Sequence, residues 1–399
     1  MADAFTRRLA AALYGGAIGD GIGAPVEGLR REQILELVGP INGFVRPTHY
    51  AQGAWAFCDR ADGKGDGRIT DDTLMVEALL VAYTEHGDHL DAYAYRDVLA
   101  SITATRPVWL PEWQRKAVLL DRLASAEQYL IRGLLNSNRD PRFFGATLHQ
   151  ITCGAAMCAW PIGGLNAGDP RGAYDEAGAF FSAQTYSYGL EQAGVMAAAM
   201  AEALAPGATA QSVVAAAVWV ARDATREMIR AAVGAIGAGA DRETDLPAIR
   251  AAVRPWHHKS THVADTDEHT VGMENVPSNR GIESRLHTSE ELPVAIAMVL
   301  RADGDFEEAT CASAEYGEDA DSIAGMAGSL AGALLGLGAI PEAWRDDCDT
   351  QNQRDYAQMT ESFASVIRSV ASRDEERRMR RALTINPSPA EENNIRQAT

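Results

Sequence analysis

Tyr316-Gly317-Glu318-Asp319-Ala320-Asp321-Ser322 runs directly into Ile323-Ala324-Gly325-Met326-Ala327-Gly328-Ser329-Leu330-Ala331-Gly332. An acidic opening is followed by a helix made almost wholly of small and apolar residues. Taken alone, the opening reads as a helix start, because Asp and Ser supply N-caps and carboxylates suit the positive end of the helix dipole. The glycines that follow, Gly325, Gly328, Gly332 and Gly336, are spaced three, four and four and so fall on one helix face. Such a stripe predicts close packing against another helix. The uncharged run from Ser322 to Pro341 is about 20 residues, long enough to span a bilayer. It is rich in Gly and Ala and flanked by acids on both sides, so a buried core helix is the expectation.

A second stretch has the same design. Ile69-Thr70-Asp71-Asp72-Thr73-Leu74-Met75-Val76 again opens an apolar helix with a hydroxyl and two carboxylates. From Asp72 to Asp319 is 319 − 72 = 247 residues, so any cooperation between the two is tertiary. At the N-terminal end, Phe5, Leu9, Leu13 and Ile18 recur at helical spacing over Phe5–Gly23. The end of that helix, Gly15-Gly16-Ala17-Ile18-Gly19-Asp20-Gly21-Ile22-Gly23, is dense in a residue that costs about 1 kcal/mol against alanine in a helix. That density predicts close approach by a neighbouring backbone or a ligand. Pro25 closes the helix and delivers Glu27 just beyond it. Further helical patterns cover 31–38, 92–102, 112–134, 172–184, 190–204, 210–238, 292–300 and 306–315. Long β-branched alternating runs are almost absent, so the fold class is mainly α.

Fifty-five acidic against 36 basic residues leave a net charge of −19, which repels phosphate backbones and anionic membrane. Neither nucleic acid nor membrane is therefore expected as a partner. The five cysteines (58, 153, 158, 311 and 348) form no CxxC pair and read as reduced thiols of a cytoplasmic protein. The N-terminus lacks an apolar stretch with a cleavage site, so no signal peptide is expected. Residues 59–67 faintly suggest a calcium loop but lack its alternation of ligands and closing Glu, and read as a solvated turn. Residues 254–288, with His257, His258, His262 and His269, read as a long polar surface loop. After Arg373 a basic run and a polar tail predict a frayed helix end followed by disorder.

The order Gly19-Asp20 … Glu27, Thr70-Asp71-Asp72-Thr73, Gly154-Ala155-Ala156-Met157 … Pro161-Ile162-Gly163 and Gly317-Glu318-Asp319-Ala320-Asp321-Ser322 resembles the ADP-ribosylglycohydrolase family. The similarity spans about residues 5–345. It implies an all-α fold, a single compact orthogonal helical bundle over 1–345, with a C-terminal helix and tail over 346–399. It also implies a binuclear centre of two Mg²⁺ (or Mn²⁺), with metal ligands carried over as Glu27, Thr70, Asp71, Asp72, Asp319, Asp321 and Ser322. An oxygen-only donor set suits hard cations, and two such ions can hold a ribose diol while activating water. Glu27, Asp71 and Asp72 are the carboxylates placed to act on the water or the leaving group. Substrate contacts carried over are Gly154, Met157 and Tyr186. The partner implied is a small-molecule or protein-linked ribosyl substrate.

The departures from the family pattern concern the substrate. Where the family motif reads Asn-Gly-x-x-Met-Arg, this chain has Cys153-Gly154-Ala155-Ala156-Met157-Cys158, and a Thr-His pair appears as Thr185-Tyr186. The lost guanidinium was a fork-like donor suited to phosphate. Three readings follow: a metal-dependent hydrolase of N- or O-glycosidic bonds to ribose, an N-ribohydrolase of a small nucleoside or nucleotide, and a non-catalytic binding or structural protein of the same fold.

Overall fold

The fold is set by two antiparallel helices whose backbones touch. A computed structural model of the chain describes residues 3–46, 63–123, 125–147, 153–239, 241–256 and 290–386. The first helix, Ala4–Gly23, starts on an Asp3 cap that accepts from the Thr6 amide at 2.9 Å. It lies along the helix Ala320–Leu335. A Cβ added at Gly328 would stand 2.1 Å from the Gly15 carbonyl oxygen, and one at Gly332 2.1 Å from that of Ala11. In the other direction, a Cβ at Gly19 would meet the Ala324 oxygen at 2.0 Å and one at Gly23 the Ala320 oxygen at 2.2 Å. Each step of four along one helix is a step of four back along the other. The glycine density of both segments is the requirement for this approach, and the neighbour is a helix backbone rather than a ligand. Gly336 stands outside the seam, ending the helix at φ +80°.

Around this pair the other helices complete an all-α globule. Glu291–Arg301 and Phe306–Tyr316 cover the Ala320 helix, Ser187–Ala203 packs on Pro170–Phe181, and the long C-terminal helix Tyr356–Ile385 crosses the first helix and Asp71–His86. Tyr83 meets Phe363 at 5.4 Å between ring centroids, and Tyr14 meets Tyr356 edge-on at 5.2 Å. No described helix is long and apolar enough to cross a membrane. The four described cysteines are free thiols.

Four expectations are corrected. The helix predicted over 112–134 begins only at Ser125. Before it, Pro107–Leu110 pairs antiparallel with Arg115–Val118, turning at Pro111 and at Gln114, whose φ is +49°. The helix predicted over 210–238 is two, Ala210–Val220 and Asp223–Gly234, separated by extended backbone at Ala221 and Arg222. The break is held by the Arg222 amide donating to Glu191 at 2.6 Å and by Arg226 Nε donating to the Ala221 carbonyl at 2.8 Å. The basic run at 377–381 lies inside the C-terminal helix, not at a frayed end. Residues 63–65 are buried, not a solvated turn. Residues 59–62 of that turn, most of the polar loop with its four histidines, and the tail after Asn386 lie outside the described residues.

Candidate metal centre

The close seam brings three distant stretches to one place. The first helix passes through a short turn, Ala24–Val26, and leaves Glu27 at its end. The next residues are stitched to the Asp319 segment: the Gly28 amide donates to the Glu318 carbonyl at 2.6 Å and the Glu318 amide to the Leu29 carbonyl at 2.8 Å. Gly317 is obligatory there, because its φ is +83° and a Cβ would sit 2.3 Å from the Leu29 oxygen. Glu318 carries a φ of +59°, and its carboxylate pairs with Arg250. Asp319 stands at the N-cap position of its helix, yet its side chain makes no capping hydrogen bond. That frees the carboxylate, whose Oδ2 accepts from Cys153 Sγ at 3.0 Å.

Asp20 fastens the Thr70 segment to the first helix. Wholly buried, it accepts from the Thr70 amide at 3.0 Å, the Thr73 amide at 3.2 Å and the Thr73 hydroxyl at 2.6 Å. Burial pushes its pKa up to about 7 against the pull of these donors. Asp20 is thus a brace. Thr70 is a true cap: its hydroxyl accepts from the Asp72 amide and donates to Asp72 Oδ2, both at 3.3 Å.

Ligand atoms of Glu27, Asp319 and Asp321 lie within 4.8 Å of one another, as do those of Cys153, Glu291 and Asp319. Asp319 belongs to both groups. Burial pushes Asp72, Asp321 and Glu291 well above the usual carboxylate range, and neighbouring charges add to this. The neighbours are Asp20, Asp71 and Asp319 for Asp72, Glu27, Asp72 and Asp319 for Asp321, where Lys64 pulls the other way, and Asp319 and Glu290 for Glu291. Two buried oxygens here, Asp72 Oδ1 and Glu291 Oε2, have no hydrogen-bond partner among the described residues. Buried acceptors are almost always satisfied. A hard cation fits such a set, since it would satisfy both oxygens and relieve the repulsion.

The carried-over residues divide. Glu27, Asp72, Asp319, Asp321 and Ser322 are brought together, and Met157 joins them with its Sδ 3.9 Å from Ser322 Oγ. Asp71 is shared with Arg122, 3.1 Å away, which also pairs with Glu112. Gly154 is buried in the turn Cys153–Ala155, and its carbonyl accepts from Cys158 Sγ at 3.3 Å. Tyr186 takes the N-cap position of the helix Ser187–Ala203 and is half-buried.

Three members were not foreseen. Glu291 looks in sequence like an ordinary acid at a helix start, Arg122 falls in a segment predicted helical, and Lys64 sits among glycines and aspartates. Lys64 Nζ forms an ion pair with Glu27 and lies 3.3 Å from Asp321 Oδ2.

The family model described as ADP-ribosylglycohydrolase matches residues 1–376. The chain is 26% identical over 362 residues to the uncharacterized protein YegU of Escherichia coli (strain K12), covering 90% of this chain and 97% of that one. It is 29% identical over 113 residues to human ADP-ribosylhydrolase ARH3, a match covering 26% of this chain and 31% of the relative. A solved structure titled ADP-ribosylglycohydrolase-related protein complex aligns at a TM-score of 0.54 with 20% identity, over 92% of this chain and 98% of that one, and so shares its fold.

Proposed function

Because this chain belongs to the ADP-ribosylglycohydrolase family, we propose that it is a divalent-metal-dependent hydrolase of an N- or O-glycosidic bond to ribose. The observation that carries the reading is the convergence of buried and half-buried carboxylates from four stretches (Glu27, Asp72, Glu291, and Asp319 with Asp321), two of whose buried oxygens, Asp72 Oδ1 and Glu291 Oε2, are unsatisfied. Mg²⁺ or Mn²⁺ suits the donors, with Glu27, Thr70, Asp71, Asp72, Asp319, Asp321 and Ser322 as the ligand set. When bound, the cation supplies positive charge that orients ribose hydroxyls and polarises water.

The chain's own residues do the remainder. Glu27, Asp71 and Asp72 are the carboxylates that could accept a proton from the attacking water, and Asp72 offers an oxygen, Oδ1, with no hydrogen-bond partner among the described residues. The surrounding carboxylates stabilise the oxocarbenium-like state at the anomeric carbon. Thr70 and Asp20 position Asp72 and do not touch substrate.

A specific observation favours a small nucleoside or nucleotide as the second reading. Cys158, at the position of the family's arginine, is buried and directed at the Gly154 carbonyl, so no guanidinium reaches out from this stretch. Release of ADP-ribose from a modified arginine or serine peptide, run beside a nucleotide panel scored for free base, separates the two. Asp72→Asn should cut turnover by about 10² to 10⁴-fold on the true substrate with helix content unchanged. Retained turnover in that variant returns the acidic helix starts to simple capping.

A further inference from the structure

The two groups of ligand atoms that share Asp319 outline two cation positions side by side. One of them already holds a positive charge. Lys64 Nζ pairs with Glu27 and stands 3.3 Å from Asp321 Oδ2, the two carboxylates that with Asp319 define the first position. Its side chain is 8% exposed, and it reaches the site from a segment built into the interior. A Cβ at Gly63 would lie 1.9 Å from the Glu112 carbonyl oxygen, Gly65 has φ +122°, and the Gly67 carbonyl accepts from Asn352 at 3.0 Å. The lysine is thereby delivered on an anchored backbone. A divalent ion on the same oxygens would face an ammonium at contact distance, a repulsion only weakly screened when buried.

The second position is different. Its members, Cys153, Glu291 and Asp319, have Asp72 as a further electrostatic neighbour of the thiol. Of the two unsatisfied buried oxygens, Glu291 Oε2 belongs to this position, while Asp72 Oδ1 adjoins both, since Asp72 neighbours Cys153 and Asp321 alike. Glu291 is 1% and Asp72 8% exposed. The position without the lysine thus has a member of its own, Glu291, with an unmet buried oxygen.

We propose that Lys64 is a resident cation that fills one of the two positions, so that the centre takes up a single divalent ion on the Glu291 side of Asp319. The inference rests on the metal-dependent reading above and departs from the two ions that the family resemblance implies. A fixed monovalent charge would hold Glu27 and Asp321 in place without metal, leaving one exchangeable ion to bind.

Equilibrium dialysis of the full chain against Mn²⁺, with metal counted by mass spectrometry and the bound ion examined by electron paramagnetic resonance, tests this without reference to turnover. The expected result is one Mn²⁺ per wild-type chain with an uncoupled six-line spectrum. Lys64→Met, and Lys64→Gln as a second variant, should bind two, with the spectrum of a spin-coupled pair. Two Mn²⁺ per wild-type chain overturns the inference and leaves the metal-dependent reading standing. One Mn²⁺ in both wild type and folded variants overturns the role given to Lys64. No Mn²⁺ in any of them overturns both.

Discussion

Alanine at Gly328 and alanine at Gly325 should have opposite effects, although the two glycines lie one turn apart on the same helix. At Gly328 the new Cβ would stand 2.1 Å from the Gly15 carbonyl oxygen, where ordinary contact begins at 3.4 Å, a shortfall of about 1.3 Å. The obstacle is backbone on a helix locked at Ala11, Gly19 and Gly23 as well, so no side chain can swing aside. Overpacking of this kind costs about 1–3 kcal/mol, and the upper end is expected where only a helix shift can relieve it. At Gly325 the nearest atom would be 3.6 Å away, an ordinary contact. There alanine gains its helix preference, about 1 kcal/mol. The pair should differ by about 4 kcal/mol, which for a chain of this length is about 5 °C in melting temperature. The shift should also part Asp319 and Asp321 from the elements that Asp20 braces. Gly328→Ala should therefore weaken Mn²⁺ binding by roughly 10–100-fold, as displaced supporting groups do, while Gly325→Ala leaves it unchanged. Thermal melts and Mn²⁺ titrations of both variants provide the assay. Equal melting temperatures would refute the argument that backbone contact at the seam organises the site.

Two further predictions rest on single side chains. Glu291→Gln removes a buried charge facing Asp319, so in chelator the variant should be more stable than wild type, while its Mn²⁺ affinity falls about tenfold or more; stability lost in chelator would mean that Glu291 has a partner there. His89 donates from Nδ1 to Glu176 at 2.5 Å and faces Asp374 from Nε2 at 3.0 Å, tying the Pro170 helix to the C-terminal helix, and the Glu176 hydrogen bond raises its pKa to about 9. Because that lies above the unfolded value near 6.5, the contribution is full below pH 6.5 and is lost as pH rises through 9. Discounted for a side chain one-third exposed, it is about 1–2 kcal/mol, so His89→Gln should melt lower than wild type at pH 6 and level with it at pH 10.

What could be read from the sequence and what could not divide along a physical line. Gly328 and Gly332 declared a packing face, because glycine at regular helical spacing is costly unless something needs the room, whereas Gly325 and Gly336 share the spacing without that need. Thr70-Asp71-Asp72 and Asp319-Ala320-Asp321-Ser322 suggested a meeting of carboxylates, because two matching acidic helix starts are better explained together than as separate caps, and Asp72 and Asp319 are neighbours in the fold. Asp319 shows the limit of local reading: it holds the cap position and leaves the capping undone, which no sequence distinguishes from a cap. The break at Arg222 was hidden because its cause is Glu191, some thirty residues away. The same holds for the cations. Lys64 and Arg122 carry no motif, since their meaning comes from which carboxylates they face after folding, and those carboxylates come from other stretches. Acidic residues that gather around an ion advertise themselves in pairs along the chain, whereas the single base that tempers them does not. The charge balance of such a cluster is therefore the part a sequence reading is least able to supply, and it is the part on which the proposed count of one ion rests.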